Sequence, residues 1–247
     1  IDNDSFLTFG KIRASWAKVG KDTGAYETNT ALWPVGTYLG GAVGVGNSWE
    51  RGNPYLKPEM TKSTELGIEL AFFKNRLRFD YAYYTNDSYN QILSPRGPQS
   101  TGYIFCSINA GNVYNKGMEV QISGTPVETK NLTWDMSLNL AGNRGTLDGL
   151  PEGLNVMYLT DVQYAGAQAA SFNGGKFMAI AGTKWNRDDK GNVILDGNGM
   201  PTYTTALEEI GNRESTFTGG FNNTVTWKGF SFNMLWEFRV GGDVVNG

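Results

Sequence analysis

The sequence predicts an all-β fold: a segment of an antiparallel transmembrane β-barrel, about eight strands, carrying long extracellular loops. Three observations lead there. Apolar and polar residues alternate with a period of two over windows of about 9 to 11 residues, long enough for a strand to cross a bilayer. The connections alternate between short and long. The composition is that of sheet and turn, with 33 Gly, 13 Phe, 12 Tyr and 7 Trp in 247 residues and 18% charged side chains. Aromatic and β-branched residues fit a pleated surface, and Gly and Asn fit the turns between strands.

Taken in chain order, strands are expected near residues 6–19, 61–73, 76–88, 115–126, 131–143, 177–185, 214–227 and 229–241. In TELGIELAFF, Leu66, Ile68, Leu70 and Phe72 fall on one face and Glu65, Gly67, Glu69 and Ala71 on the other, as successive side chains of a strand must. RLRFDYAYY sets Leu77, Phe79, Tyr81 and Tyr83 against Arg76, Arg78, Asp80 and Ala82. GMEVQIS sets Met118, Val120 and Ile122 against Glu119, Gln121 and Ser123. NLTWDMSLNLAGN and GFSFNMLWEF repeat the pattern, with Trp134, Met136, Leu138 and Leu140 in the first and Phe230, Phe232, Met234, Trp236 and Phe238 in the second. The other face carries charge at mid-strand: Glu69, Arg78, Asp80, Glu119, Asp135 and Glu237. Alternation alone also suits a half-exposed soluble sheet, and the connections favour the barrel. Short turns occupy residues 73–76, 127–131 and 227–229, while long excursions occupy roughly 20–60, 86–116 and 143–176. Tight turns on one side of the membrane and extended loops on the other mark outer-membrane barrels. Aromatics near strand ends, such as Phe72, Phe73, Trp134, Trp227 and Phe230, fit interfacial girdles. A shorter hairpin, GNVILDGNG after Arg187, belongs to a loop.

Several function classes fall away. No run approaches the roughly 18 apolar residues of a membrane-spanning helix. A net charge of −3 without a Lys/Arg cluster argues against nucleic acid as a partner. Cys106 is the single cysteine, so no internal disulfide can form. There is no histidine, which removes Ser-His-Asp and Cys-His triads and His-based zinc sites. A carboxylate pair is conceivable among Asp188, Asp189, Glu208 and Glu209, but neighbours on an extended chain face opposite ways. No enzyme and no cofactor are expected. Asp188, Asp189, Asp196 and Asn198 offer oxygen donors that could suit calcium. Their spacing is not that of an EF-hand, the same residue types make hairpin turns, and the turn is the preferred reading with no metal assigned. The glycines of YLGGAVGVG, residues 38–46, lack the strand-to-helix setting of a phosphate loop. No signal peptide precedes Ile1 and GGDVVNG runs on from a strand, so the chain is expected to be an internal piece.

Residues 53–84, NPYLKPEMTKSTELGIELAFFKNRLRFDYAYY, resemble the SusC/RagA branch of TonB-linked outer-membrane receptors. The resemblance rests on Asn53, Pro54, Leu56, Lys57, Pro58 and Glu59, then Thr64, Glu65 and Gly67, then Asn75, Arg76 and Leu77. A later strand entry carries Asn109, Gly111, Asn115, Gly117 and Glu119, and the last strand pair runs into Gly241, Gly242 and Asp243. Three degenerate motifs in the family's order, from residue 50 onward, are specific together. The resemblance implies that residues 1–247 are part of a receptor barrel domain of 22 strands, whose plug and terminal strands lie outside this sequence. It implies a multi-pass protein of the bacterial outer membrane, importing an oligosaccharide or oligopeptide with a SusD-like surface lipoprotein as lid and TonB as the energy source.

For such an importer the expected ligand-binding residues are loop aromatics and arginines: Trp33, Tyr38, Trp49, Arg96, Tyr103, Phe105, Trp185 and Arg187. Aromatic faces stack on sugar rings and planar polar groups meet hydroxyls. The residues expected to face outer-membrane lipid are Leu66, Ile68, Leu70, Phe79, Leu138 and Met234. The alternatives are a secreted carbohydrate-binding β-sandwich, which would bury that apolar face under a second sheet, and a passive porin-like pore without a plug.

Overall fold

In the computed structural model, residues 6–37, 40–160, 163–164 and 166–246 are described. Seven long strands make the main sheet: β1 (Leu7–Lys21), β2 (Glu59–Phe72), β3 (Leu77–Tyr89), β4 (Asn112–Glu128), β5 (Leu132–Asp148), β6 (Phe217–Trp227) and β7 (Phe230–Val240). Each pairs antiparallel with its neighbour in sequence, giving the spatial order β1 to β7 without a crossover. The eighth member is the two-residue strand Gly175–Lys176, which pairs with Thr146 of β5. No α-helix is present among the described residues.

The register fixes which side chains share a face. One row runs Lys11, Glu69, Asp80, Gln121, Asn139, Gly220 and Glu237 across all seven strands. The adjacent row, displaced by one residue, runs Ile12, Ile68, Tyr81, Val120, Leu140, Gly219 and Phe238. At mid-strand one face is therefore polar and the other apolar across all seven strands, as a period of two demands. Leu70, Phe79, Ile122, Leu138, Phe221 and Trp236 are in-plane neighbours in a single row, not partners across two stacked sheets. Ile12 is 82% exposed, Trp16 67%, Leu66 55% and Trp236 60%, so no second layer covers this face among the described residues. That removes the β-sandwich alternative. From Leu132 to Gly142 the apolar side chains of β5 extend about 33 Å along the strand. At a barrel strand's ordinary tilt this is about 25 Å across a membrane.

Short turns join β2 to β3, β4 to β5 and β6 to β7, while residues 22–58, 90–111 and 149–216 form long excursions at the opposite end. In the tightest turn Trp227 pairs with Phe230, and Lys228 and Gly229 between them take φ of 45° and 87°. Both values are positive, as a type I′ hairpin requires. Near another turn the rings of Phe6, Phe72 and Phe73 cluster, with centroids 5.2 and 4.8 Å from that of Phe6.

The segment expected as a wall strand near residues 177–185 is not one. Its strand, Ala179–Gly182, joins Val156–Tyr158, Ala167–Phe172 and Glu208–Asn212 in a separate four-stranded sheet within the third excursion. Ala179, Ile180 and Ala181 are buried without alternation, because this sheet packs on both sides. A small core of Val113, Leu147 and Leu150, with Leu93, Leu154, Met157 and Phe177 against it, ties the loop layers to the polar face of β4 and β5. Omitting that segment from the wall makes the alternation of short and long connections strict.

Residues 184–204 fold as a small meander, with bridges Trp185 to Tyr203, Arg187 to Val193 and Leu195 to Pro201. Asp188 Oδ1 accepts the amides of Lys190 and Asn192 at 2.9 and 2.8 Å, and Asp196 Oδ1 accepts those of Asn198 and Met200 at 2.8 and 2.9 Å. Both carboxylates thus cap turns. No group of three or more His, Cys, Asp or Glu able to hold a metal occurs among the described residues.

Two of these contacts have measurable consequences. On the polar face the Arg13 side chain lies across Gly67 to reach Asp80 with a bidentate pair at 2.6 and 2.7 Å. A Cβ on Gly67 would stand 2.5 Å from Arg13 Nε. Gly67→Val is expected to cost about 1–2 kcal/mol in urea unfolding of the folded barrel, part of it recovered in Gly67→Val/Arg13→Ala; strictly additive costs would refute the clash. Second, the side chain of Asn192, then the backbone amides, hold the Asp188 carboxyl below its ordinary range. Its contribution to the turn is present above the unfolded value of about 3.9 and disappears as pH falls through the lower folded value. The Asn192 amide resonance in nitrogen-labelled protein should titrate with a midpoint below about 3.9, and a midpoint at or above it would refute the assignment.

Candidate functional site

The first two excursions are buckled together at their base by side chains of the quoted motifs. Asn109 accepts the Lys57 amide on Oδ1 at 2.7 Å and donates Nδ2 to the carbonyls of Lys57 and Asn90 at 2.7 and 2.9 Å. Asn53 donates Nδ2 to the Ser107 carbonyl at 3.0 Å, and Glu59 accepts the Ile92 amide at 2.9 Å. The carboxylate of Glu50 accepts the hydroxyls of Ser107, at 2.5 Å, and Ser94. Asn and Glu suit these places because one planar side chain satisfies several backbone groups of irregular chain.

Above the buckle, Glu50–Arg51 runs parallel to Phe105–Cys106, and the Trp49 carbonyl accepts the amides of Ile104 and Phe105 at 2.8 and 3.0 Å. The guanidinium of Arg96 sits 5.2 Å from the centre of the Phe105 ring, a cation–π arrangement. Trp49, Arg96 and Phe105 are thus gathered into one layer, while Tyr103 bonds locally to Thr101. Trp33 lies on the separate hairpin Leu32–Thr37 with Val43–Asn47. Trp185 and Arg187 lie on the meander, where Arg187 donates to the Gly191 carbonyl at 2.7 Å. Tyr38 is outside the described residues.

Between the second and third excursions lies a cavity of about 700 Å³. Arg96 and Phe105 form one wall, and Asn155, Met157, Tyr158, Gln163 and Gln168 form the other. Of the eight loop residues expected from the sequence, these two line it. The amides and Tyr158 opposite were missed, although a run holding Asn155, Tyr158, Gln163 and Gln168 carries the planar polar and aromatic groups sought elsewhere. Glu208 and Glu209, considered for acid–base work, are engaged with Lys184 at 3.4 Å and Lys176 at 2.8 Å.

Lower on the wall a second concavity of about 580 Å³ opens on the polar face, lined by Asp80, Glu119, Gln121, Asn139, Thr218, Glu237 and Arg239. The small residues Ala141, Gly219 and Gly220 are part of its lining. Elsewhere on this face Ala71 and Ala82 are buried, and Tyr84 lies so closely over Gly117 that a Cβ there would be 2.4 Å from the ring. Nearer the rim, Glu214 accepts Asn143 Nδ2 at 2.5 Å and the Gly145 amide at 3.0 Å. Asp243, after the paired glycines, accepts the Asn212 amide at 2.7 Å and returns its own amide to the Asn212 carbonyl at 2.7 Å.

The family described as TonB dependent receptor-like, beta-barrel, matches residues 3–243. Among curated proteins the chain is similar to TonB-dependent receptor P3 of Formosa agariphila, 28% identical over 271 residues, covering 100% of this chain and 27% of that protein. It is also similar to TonB-dependent receptor SusC of Bacteroides thetaiotaomicron, 28% identical over 164 residues, covering 65% of this chain and 16% of that protein. Among solved structures, the RagAB peptide importer in its closed-closed state superposes with a TM-score of 0.78 at 22% identity, over 97% of this chain and 27% of that one. The chain thus spans about a quarter of the length of the first relatives it matches. These findings agree with the SusC/RagA resemblance of the motifs, and they place the protein in the bacterial outer membrane. With a wall of antiparallel strands, polar on one face and apolar on the other, and the family match across nearly its whole length, the chain belongs to the TonB-dependent receptor-like β-barrel family.

Proposed function

We propose that this chain forms part of the wall and mouth of an importer that takes a nutrient, an oligosaccharide or oligopeptide, across the outer membrane. The observation that carries this is an aromatic and amide-lined cavity among the long loops above a charged wall face. Residues 1–247 are a stretch of a larger barrel domain, and the plug, the TonB-contacting segment and the remaining strands belong to the rest of a longer protein. Substrate enters from the loop side beneath a SusD-like lipoprotein lid and leaves along the polar face when the plug is displaced. Solved proteins of like fold include the RagAB peptide transporter and importer, which supports an oligopeptide. The planar amides and rings around the cavity suit an oligosaccharide as well. Arg96 and Phe105 contact the substrate directly; Trp33, Trp49, Tyr103, Trp185 and Arg187 shape the loops around it.

In this reading Leu66, Ile68, Leu70, Phe79, Leu138 and Met234 face hydrocarbon, and their polar-face neighbours face an aqueous interior. Support comes from the exposure of the apolar rows and from their height.

Leu138→Arg should destabilise the folded barrel by about 2–4 kcal/mol, the cost of a cation near mid-bilayer. Asn139→Arg, one residue along and on the polar face, should cost far less. Equal costs in urea titrations from lipid vesicles would rule out the assignment of faces. For the mouth, Arg96→Ala/Tyr158→Ala in the full-length protein should weaken binding of its substrate about tenfold or more, since hydrogen bonds to a charged group are worth about 1.5–3 kcal/mol. Calorimetry against panels of linear oligosaccharides and oligopeptides reads this out, and an unchanged Kd for whichever ligand binds would exclude the cavity.

A further inference from the structure

The boundary of the apolar face at its loop end is marked by charge. Moving up from the row Ala14, Leu66, Tyr83, Met118 and Gly142, the next row on the same face is Trp16, Thr64, Thr85, Lys116 and Arg144. Lys116 and Arg144 stand directly opposite each other on β4 and β5. The row above adds Lys18 and Lys62, which are also paired. In these two rows Asp87 is the one carboxylate. Lys116 and Arg144 are exposed and form no ion pair among the described residues. Arg144 Nη1 donates to the carbonyls of Asn143, Ser215 and Thr216, at 2.8, 3.0 and 3.4 Å, which anchors the guanidinium and leaves Nε and Nη2 without a hydrogen-bond partner among the described residues.

Directly beneath this cation pair the apolar face is not flat. Gly142 leaves a gap between Tyr83, Met118 and Leu140 on one side and Phe217 on the other, opening a groove of about 630 Å³ that ends at Lys116 and Arg144. A greasy trough closed at its upper end by two adjacent cations matches one kind of molecule: a lipid with acyl chains below and a phosphorylated headgroup above. A Lys offers a compact charge and an Arg a planar fork, and both bind phosphate oxygens well. Cations near an anionic membrane surface add about 1 kcal/mol each.

We propose that Lys116 and Arg144, with the groove floored by Gly142, form a binding site for a phosphate-bearing lipid of the outer leaflet. The site rests on the assignment of this face to hydrocarbon, and it has no part in substrate import. It holds a headgroup at the height where the loops leave the wall.

The test uses the full-length protein in detergent and native mass spectrometry. The probes are a bis-phosphorylated acylated glucosamine disaccharide, the same lipid with its phosphates removed, and inorganic phosphate. The phosphorylated lipid should bind, the dephosphorylated one should bind more weakly, and inorganic phosphate should not displace the first. Lys116→Gln/Arg144→Gln should lower affinity for the phosphorylated lipid about thirtyfold, the equivalent of about 1 kcal/mol per cation at 1.4 kcal/mol per decade. Lys74→Gln/Lys228→Gln, at the turn end, should leave it unchanged. Equal binding of both lipids, or an unaltered affinity in the Lys116/Arg144 pair, overturns the headgroup site while leaving the lipid face intact. Binding of neither lipid overturns both. The comparison of the two lipids is made on the unaltered protein, so that arm of the test does not depend on how the variants fold.

Discussion

Everything in this molecule depends on the ladder of backbone hydrogen bonds that joins β1 to β7. Inside a bilayer no water is available to satisfy an amide or carbonyl, so a spanning strand must be paired on both edges and cannot wander. The register accordingly runs unbroken through the middle of the wall. Its irregularities, between Leu7 and Phe9 and between Gly124 and Val127, lie towards the turn end. Once the ladder is set, strict alternation is no longer a choice. A residue is on the apolar or the polar face by parity alone, and Glu69 and Ile68 end up on opposite faces although they are neighbours in sequence.

The polar face is shaped by what it lacks. Long side chains lie flat where a neighbouring strand offers a residue without bulk: Arg13 over Gly67, Tyr84 over Gly117 and Phe177 against Gly145. Strands are poor places for glycine on conformational grounds, so these positions need a packing reason, and here each accommodates a side chain from an adjacent strand or loop. Two motif glycines, at 67 and 117, thereby acquire a physical meaning. They let a charged or phenolic group reach sideways across the sheet instead of standing into the interior.

The wall was legible in the sequence because its determinants are local. Leu66 to Phe72 and Leu132 to Leu140 announce their faces within a single strand, and the FKNR and WKG turns announce their reversals. The mouth was not, for a matching reason. Ala167–Phe172 and Ala179–Gly182 are buried on both sides, so they show no alternation, and a four-residue apolar run can be mistaken for the core of a wall strand. The cavity is harder still. Arg96 and Phe105 meet Tyr158 and Gln168 through packing between separate excursions, and nothing in the spacing of those residues foretells it.

The clamp made by Asn109 has a mechanical corollary. One short side chain grips both backbone atoms of Lys57 and the carbonyl of Asn90, so the roots of the first two excursions are riveted at a common point. Separating those roots means breaking three hydrogen bonds made by one side chain. A pull on either root is thus shared by the other, whatever length of chain lies between them.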